Sequence, residues 1–226
     1  MVTSSSEAGV ISPAFSRFGS LPQATFGGTG IPNDAVAITE FTVPNGGPTF
    51  TLGLTATPRF FEPAVSNNGA GTFQAAAGGF PGAPSLARWN FGFFAEVSSG
   101  PLANYQVDLL YDLDPAADTP ESDLGVINLT AALAGSGDPR VEGSQNLGFP
   151  FLAANALPVI DAPTFTAFDP AAAGEYTFAL SVANAGEALG QVSILVNTVP
   201  EPASALGIAC VMGVLATSRR RRSSSL

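Results

Sequence analysis

Tyr176-Thr177-Phe178-Ala179-Leu180-Ser181-Val182-Ala183 and Gln191-Val192-Ser193-Ile194-Leu195-Val196-Asn197 decide the fold. In each run large apolar residues alternate with small or polar ones. Alternation with period two places one set of side chains on a buried sheet face and the other toward solvent. Asn184-Ala185-Gly186-Glu187 lies between the runs and supplies turn residues, so the pair reads as a β-hairpin. The same period recurs upstream. Val36 to Val43 ends at Pro44-Asn45-Gly46-Gly47-Pro48. Thr49 to Thr55 puts Phe50, Leu52 and Leu54 on one side. Arg88 to Val97 does so with Trp89, Phe91, Phe93 and Val97, and Tyr105 to Tyr111 with Tyr105, Val107, Leu109 and Tyr111.

Half-buried strands of this kind belong to antiparallel sheets. No long amphipathic helix interrupts them. The expected fold is therefore mainly β, an antiparallel β-sandwich of immunoglobulin-like or jelly-roll type over residues 1–198. Asp169-Pro170 to Glu175-Tyr176 resembles the corner before strand F of immunoglobulin-like domains, where a tyrosine hydroxyl bonds back to upstream backbone. Tyr176 would be that tyrosine, or an ordinary half-buried one. Segments 63–84 and 112–123 lack the alternation and read as loops. Leu124 to Ala134 fits a strand or a short helix.

Composition narrows the chemistry. The chain has 226 residues and a formal net charge of −10, with no histidine and no lysine. A strongly acidic chain without lysine has no basic face for nucleic acid. It also repels anionic lipid and polysaccharide unless cations bridge them. Without histidine, Ser-His-Asp and Cys-His catalysis and histidine-based metal sites are excluded. Without lysine, Ser-Lys dyads and Schiff bases are excluded. The single cysteine, Cys210, lies in an apolar stretch near the C-terminus, so the β-region carries no disulfide. Carboxylate chemistry is all that remains for an enzyme, and the chain reads as non-catalytic.

The acids cluster at Asp108, Asp112, Asp114, Asp118, Glu121 and Asp123. Oxygen ligands on a flexible loop suit Ca²⁺, with Asp112, Asp114, Asp118, Glu121 and Asp123 as the candidate set. This is no EF-hand, because the glycine at position six and the glutamate at position twelve are missing. The plainer reading is a solvated acidic loop that maintains solubility. Trp89, Phe91, Phe93 and Phe94 read as core rather than as a sugar-stacking platform, with only Phe94 on the outward parity. The sequon Asn128-Leu129-Thr130 is an isolated match.

The last 28 residues have a separate logic. Val199-Pro200-Glu201-Pro202 precedes an uncharged run, Ala203 to Ser218, and then Arg219, Arg220, Arg221 and Arg222. Prolines break the preceding strand and suit the first turn of a helix. The run is 16 residues long, roughly 24 Å as a helix, against about 20 residues for a full bilayer span. The arginines stop transfer and favour the cytoplasmic side.

This order resembles the PEP-CTERM sorting signal of exported bacterial proteins. The resemblance implies recognition of Pro200, Glu201 and Pro202 by an exosortase, with a transmembrane helix over 203–218 and a basic tail over 219–222. It implies an exported protein held briefly in the inner membrane with its C-terminus cytoplasmic. Release to the cell surface or extracellular matrix would follow. A plain tail anchor is the alternative reading of the same residues. Met1 to Ser12 shows no basic and apolar leader, so a signal peptide upstream of this start is expected. Expected partners are the exosortase, the bilayer and extracellular polysaccharide. The functional alternatives are a Ca²⁺-dependent lectin-like module and, least favoured, a carboxylate hydrolase.

Overall fold

The computed structural model describes residues 9–61 and 63–200. Among them fourteen strands form, in the order β1 Arg17–Gly19, β2 Val36–Thr42, β3 Thr49–Pro58, β4 Ser66–Asn67, β5 Thr72–Ala76, β6 Gly79–Phe80 and β7 Ala83–Ala87. There follow β8 Trp89–Val97, β9 Gln106–Tyr111, β10 Gly125–Asn128, β11 Arg140–Gln145, β12 Ile160–Asp161, β13 Gly174–Asn184 and β14 Glu187–Val199. A five-stranded sheet has the order β1-β2-β3-β8-β11, and a seven-stranded sheet the order β12-β10-β9-β13-β14-β5-β4. β6 and β7 pair separately.

The inner faces of the two large sheets share one core. Phe50, Leu52, Leu54, Phe91 and Phe93 from the first meet Val107, Leu109, Phe178, Leu180 and Ile194 from the second. Ring contacts cross the layer: Phe91 stacks on Phe178 at 4.5 Å, and Trp89 meets Tyr176 at 5.9 Å. Each buried aromatic ring contributes about 2–3 kcal/mol of apolar transfer. The inner row of β13 and β14 is as expected, with Tyr176, Phe178, Leu180, Val182, Val192, Ile194 and Val196 in the core, whereas the outer row is not all solvated, since Thr177, Ala179 and Ser193 are buried as well. Ala185 and Gly186 both have positive φ, 49° and 84°, which is the type I′ geometry that a two-residue hairpin favours.

Two expectations about the sheets change. Segment 63–84 is not a loop, since it holds β4, β5, β6 and the start of β7. Its small residues hid the pattern: Phe73 and Ala75 point into the core while Gln74 is exposed. β5 lies beside β14 in parallel register, with Val196 opposite Phe73, so the sandwich is not purely antiparallel. Every other pairing of the two large sheets is antiparallel. Leu124 to Ala134 resolves as strand and helix in succession. Asn128 ends β10, and its side chain accepts the Ala131 N–H at 2.8 Å, capping the one-turn helix α1 Leu129–Ala132. Thr130 donates to the Tyr105 carbonyl and accepts from the Val107 N–H, so both polar residues of the sequon serve the fold.

The outer face of the five-stranded sheet is also covered. Leu21, Ala24 and Phe26 pack against Val36, Ile38 and Phe94. Phe94, on the outward parity, is therefore fully buried. The cover is fastened by Glu142 on β11, whose carboxylate accepts from the Thr25 N–H, the Thr25 hydroxyl and the Phe26 N–H at 2.7, 2.9 and 2.8 Å. Glu142→Ala is expected to lower the urea midpoint by the equivalent of about 1–2 kcal/mol, because charge-assisted bonds to an oriented loop are lost. An unchanged midpoint would show that the cover holds through its apolar contacts alone.

Candidate functional site

The acidic segment follows β9 without converging on a centre. Asp112 is buried at 1% exposure on the outer side of the seven-stranded sheet. Its Oδ1 accepts the Asp114 N–H at 2.8 Å, and its Oδ2 has no hydrogen-bond partner. Burial pushes the Asp112 carboxyl up to about 6, against opposing pulls from the Asp114 and Thr177 backbone and the Thr119 hydroxyl. Asp114 turns outward and accepts the Ala116 N–H at 2.9 Å. Asp118 sits in a left-handed turn, φ 59°, with its N–H directed at Glu175. Glu121 and Asp123 lie in a 3-10 turn, where Asp123 accepts from the Thr164 hydroxyl. Asp108 accepts from Gln106 at 2.6 Å. Among the described residues no three acidic side chains are placed to hold a metal ion. Of the five candidate calcium ligands, Asp112 and Asp114 are local turn acceptors and Asp123 accepts from the remote Thr164.

Tyr176 lies in the core as expected of a corner tyrosine, but no hydrogen bond runs from its hydroxyl to upstream backbone among the described residues. Burial, with the Asp112 charge second, pushes that hydroxyl up to about 12. The tyrosine that ties strand to backbone is Tyr111, which donates to the Leu152 carbonyl at 2.6 Å. Of the sorting motif, Pro200 is exposed directly after β14, which pairs through Val199 opposite Ala76. Glu201, Pro202, the 203–218 run and Arg219 to Arg222 lie outside the described residues. Among the described residues no helix is long and apolar enough to cross a membrane.

A second locality was not anticipated from sequence. At one end of the five-stranded sheet, Thr57 of β3 stands opposite Asn90 of β8, and Ser144 of β11 stands opposite Gly92. With Arg59, Phe60, Phe61 and the Gly28–Pro32 turn they line a cavity of about 270 Å³. The Arg59 guanidinium lies 5.7, 5.5 and 5.9 Å from the rings of Phe60, Phe80 and Phe149. Phe60 and Phe61 are 59% and 87% exposed, unusual for neighbouring aromatic side chains. Asn90 is held from behind, since its Oδ1 accepts from the fully buried Asn146 at 2.8 Å. The signal available in sequence was Arg59-Phe60-Phe61, a cation and two aromatics where a strand runs out.

No family model, no curated protein and no solved structure matches the chain.

Proposed function

We propose that this chain is an exported, non-catalytic protein of the cell surface or extracellular matrix, sorted by an exosortase through Pro200, Glu201 and Pro202. The single observation that carries the proposal is the order of segments at the C-terminus: Pro-Glu-Pro, an uncharged run of 16 residues, then four arginines. Each has a function in transfer, namely recognition, brief insertion and arrest on the cytoplasmic side. The position of the motif supports the reading. β14 completes its pairing at Val199, so cleavage after that point leaves all fourteen described strands in place. The non-catalytic assignment rests on the lack of histidine and lysine. The two packed sheets are also of the general kind used by immunoglobulin-like surface modules, and we include that finer architecture in the proposal.

Intact mass spectrometry of the protein recovered from the envelope and medium of its native host tests this. The expected mass corresponds to a chain ending close to Pro200. A full-length mass confined to the membrane fraction would make the tail a permanent anchor and remove the exosortase from the account.

A further inference from the structure

We infer that the cavity at Arg59 binds a singly charged sugar acid, a uronate ring, through its carboxylate and its apolar face. Arg59 is the anomaly that starts the argument. Arg17 and Arg140 each hold a carboxylate, Glu40 at 2.8 Å and Glu96 at 2.6 Å. Arg88 donates to the Gly79 carbonyl. The Arg59 side chain has no ion pair and no hydrogen bond among the described residues, and its Nε is buried without an acceptor. Four buried side-chain polar atoms lack a partner among the described residues, and two of them, Arg59 Nε and Ser144 Oγ, belong to residues lining this one cavity. Buried polar groups are ordinarily satisfied, so a pair left open at a cavity points to an absent partner.

The chemistry of that partner follows from what surrounds Arg59. Phenylalanine rings occupy the space around the guanidinium, which leaves its N–H groups as the part still to be paired. Those N–H groups form a fork that matches a carboxylate or a phosphate. One arginine, no lysine anywhere and a net charge of −10 favour a single negative charge over a phosphate dianion. Phe60 and Phe61 offer exposed apolar faces of the kind that pack on the C–H face of a sugar ring. Thr57, Ser144 and the Asn90 amide, whose oxygen is already taken by Asn146, are hydroxyl and N–H groups for ring hydroxyls. The volume of about 270 Å³ lies just under the ~300–1,000 Å³ of drug-sized ligand sites, which suits one ring rather than an enclosed chain. The site needs no calcium, and it stands or falls independently of tail processing.

The test is a titration of the isotope-labelled full-length chain with glucuronate, followed by amide chemical shifts, with glucose, glucuronate methyl ester and acetate as parallel probes. Glucuronate is expected to shift the amides of Thr57, Arg59, Phe60, Phe61 and 28–31 with a millimolar dissociation constant. Glucose, the ester and acetate are each expected to bind at least about tenfold more weakly, a difference of about 1.4 kcal/mol. Arg59→Met, which keeps length and packing on the rings, is expected to abolish the preference for the acid over glucose. Arg59→Lys is expected to retain only part of it, since the fork is gone. Glucose binding as well as glucuronate would remove the charge recognition, and acetate binding as well would remove the ring. No shift at these amides with any probe would overturn the site. The wild-type comparison decides the matter even if an Arg59 variant fails to fold.

Discussion

Asn146→Ala is expected to destabilise the protein by about 3–5 kcal/mol, the largest loss of any single polar substitution in the fold. Asn146 is fully buried and makes five hydrogen bonds. Its Oδ1 accepts the Ala87 and Gly148 N–H groups at 2.9 and 3.0 Å. Its Nδ2 donates to the Ala87 and Trp89 carbonyls and to Asn90 Oδ1 at 2.9, 2.8 and 2.8 Å. One side chain thus replaces the missing ladder between the end of β11 and the β7–β8 junction. Alanine would leave two backbone donors and two carbonyls without partners in a place water does not reach, at about 1–3 kcal/mol for each unsatisfied group after partial relaxation. Against the ~5–15 kcal/mol of an ordinary domain this is a large fraction. The local backbone has little room to adjust, because a Cβ on Gly148 would lie 2.0 Å from the Ser85 carbonyl. Urea unfolding followed by tryptophan fluorescence measures the change directly, since Trp89 sits beside the lost bonds. A loss below about 1 kcal/mol would mean that a water takes over the asparagine's bonds. The sign of a second variant, Asn146→Asp, is also fixed: it retains the acceptor but sets a charge against two carbonyls, so it destabilises at neutral pH.

The hairpin of β13 and β14 was legible because both of its inner rows are large and unbroken: Tyr176, Phe178, Leu180 and Val182 lie beside Val192, Ile194 and Val196 on the same inner face of the sheet. β8 was legible for the same reason. β5 was not, because Ala75 fills a core position with a side chain that carries almost no hydrophobic signal. Parallel pairing with β14 was hidden as well, since no local pattern marks a partner more than a hundred residues away in the chain. Phe94 defied its parity because periodicity reports one face of a sheet at a time, while the Leu21–Phe26 cover that buries the other face comes from a remote segment. The acids were legible as a run and misleading as a set. Sequence proximity put Asp112, Asp114, Asp118, Glu121 and Asp123 together, yet among the described residues no three of them are placed to hold a metal ion. The Arg59 cavity depends on register between β3, β8 and β11, which sequence spacing does not encode.

Asp112→Asn is expected to stabilise the protein at neutral pH and to flatten its response to pH. In the native state burial pushes the carboxyl up from 3.8 to about 6. Between those values the folded chain holds a proton that the unfolded chain has released. The contribution of this group to stability is therefore fully present below pH ~3.8 and is lost as pH rises through about 6. At pH ~7.5 the folded state carries an ionised, buried carboxylate whose Oδ2 has no hydrogen bond, a penalty of up to about 3 kcal/mol. Asparagine retains the Oδ1 acceptor that receives the Asp114 N–H at 2.8 Å and removes the charge, so the gain at pH ~7.5 is expected to be about 1–2 kcal/mol once the unsatisfied amide nitrogen is set against it. Other carboxylates titrate over the same range, and the reading is accordingly the difference between variant and wild type in urea midpoints from pH ~4 to ~7.5. That difference should be near zero or negative at the acid end and grow through pH ~6. A difference that does not change with pH would show that Asp112 keeps one protonation state throughout, with water or a neighbouring group solvating Oδ2. A loss of stability that grows with pH would mean that the ionised carboxylate is stabilised by a cation, which would return calcium to this loop with Asp112 as its anchor.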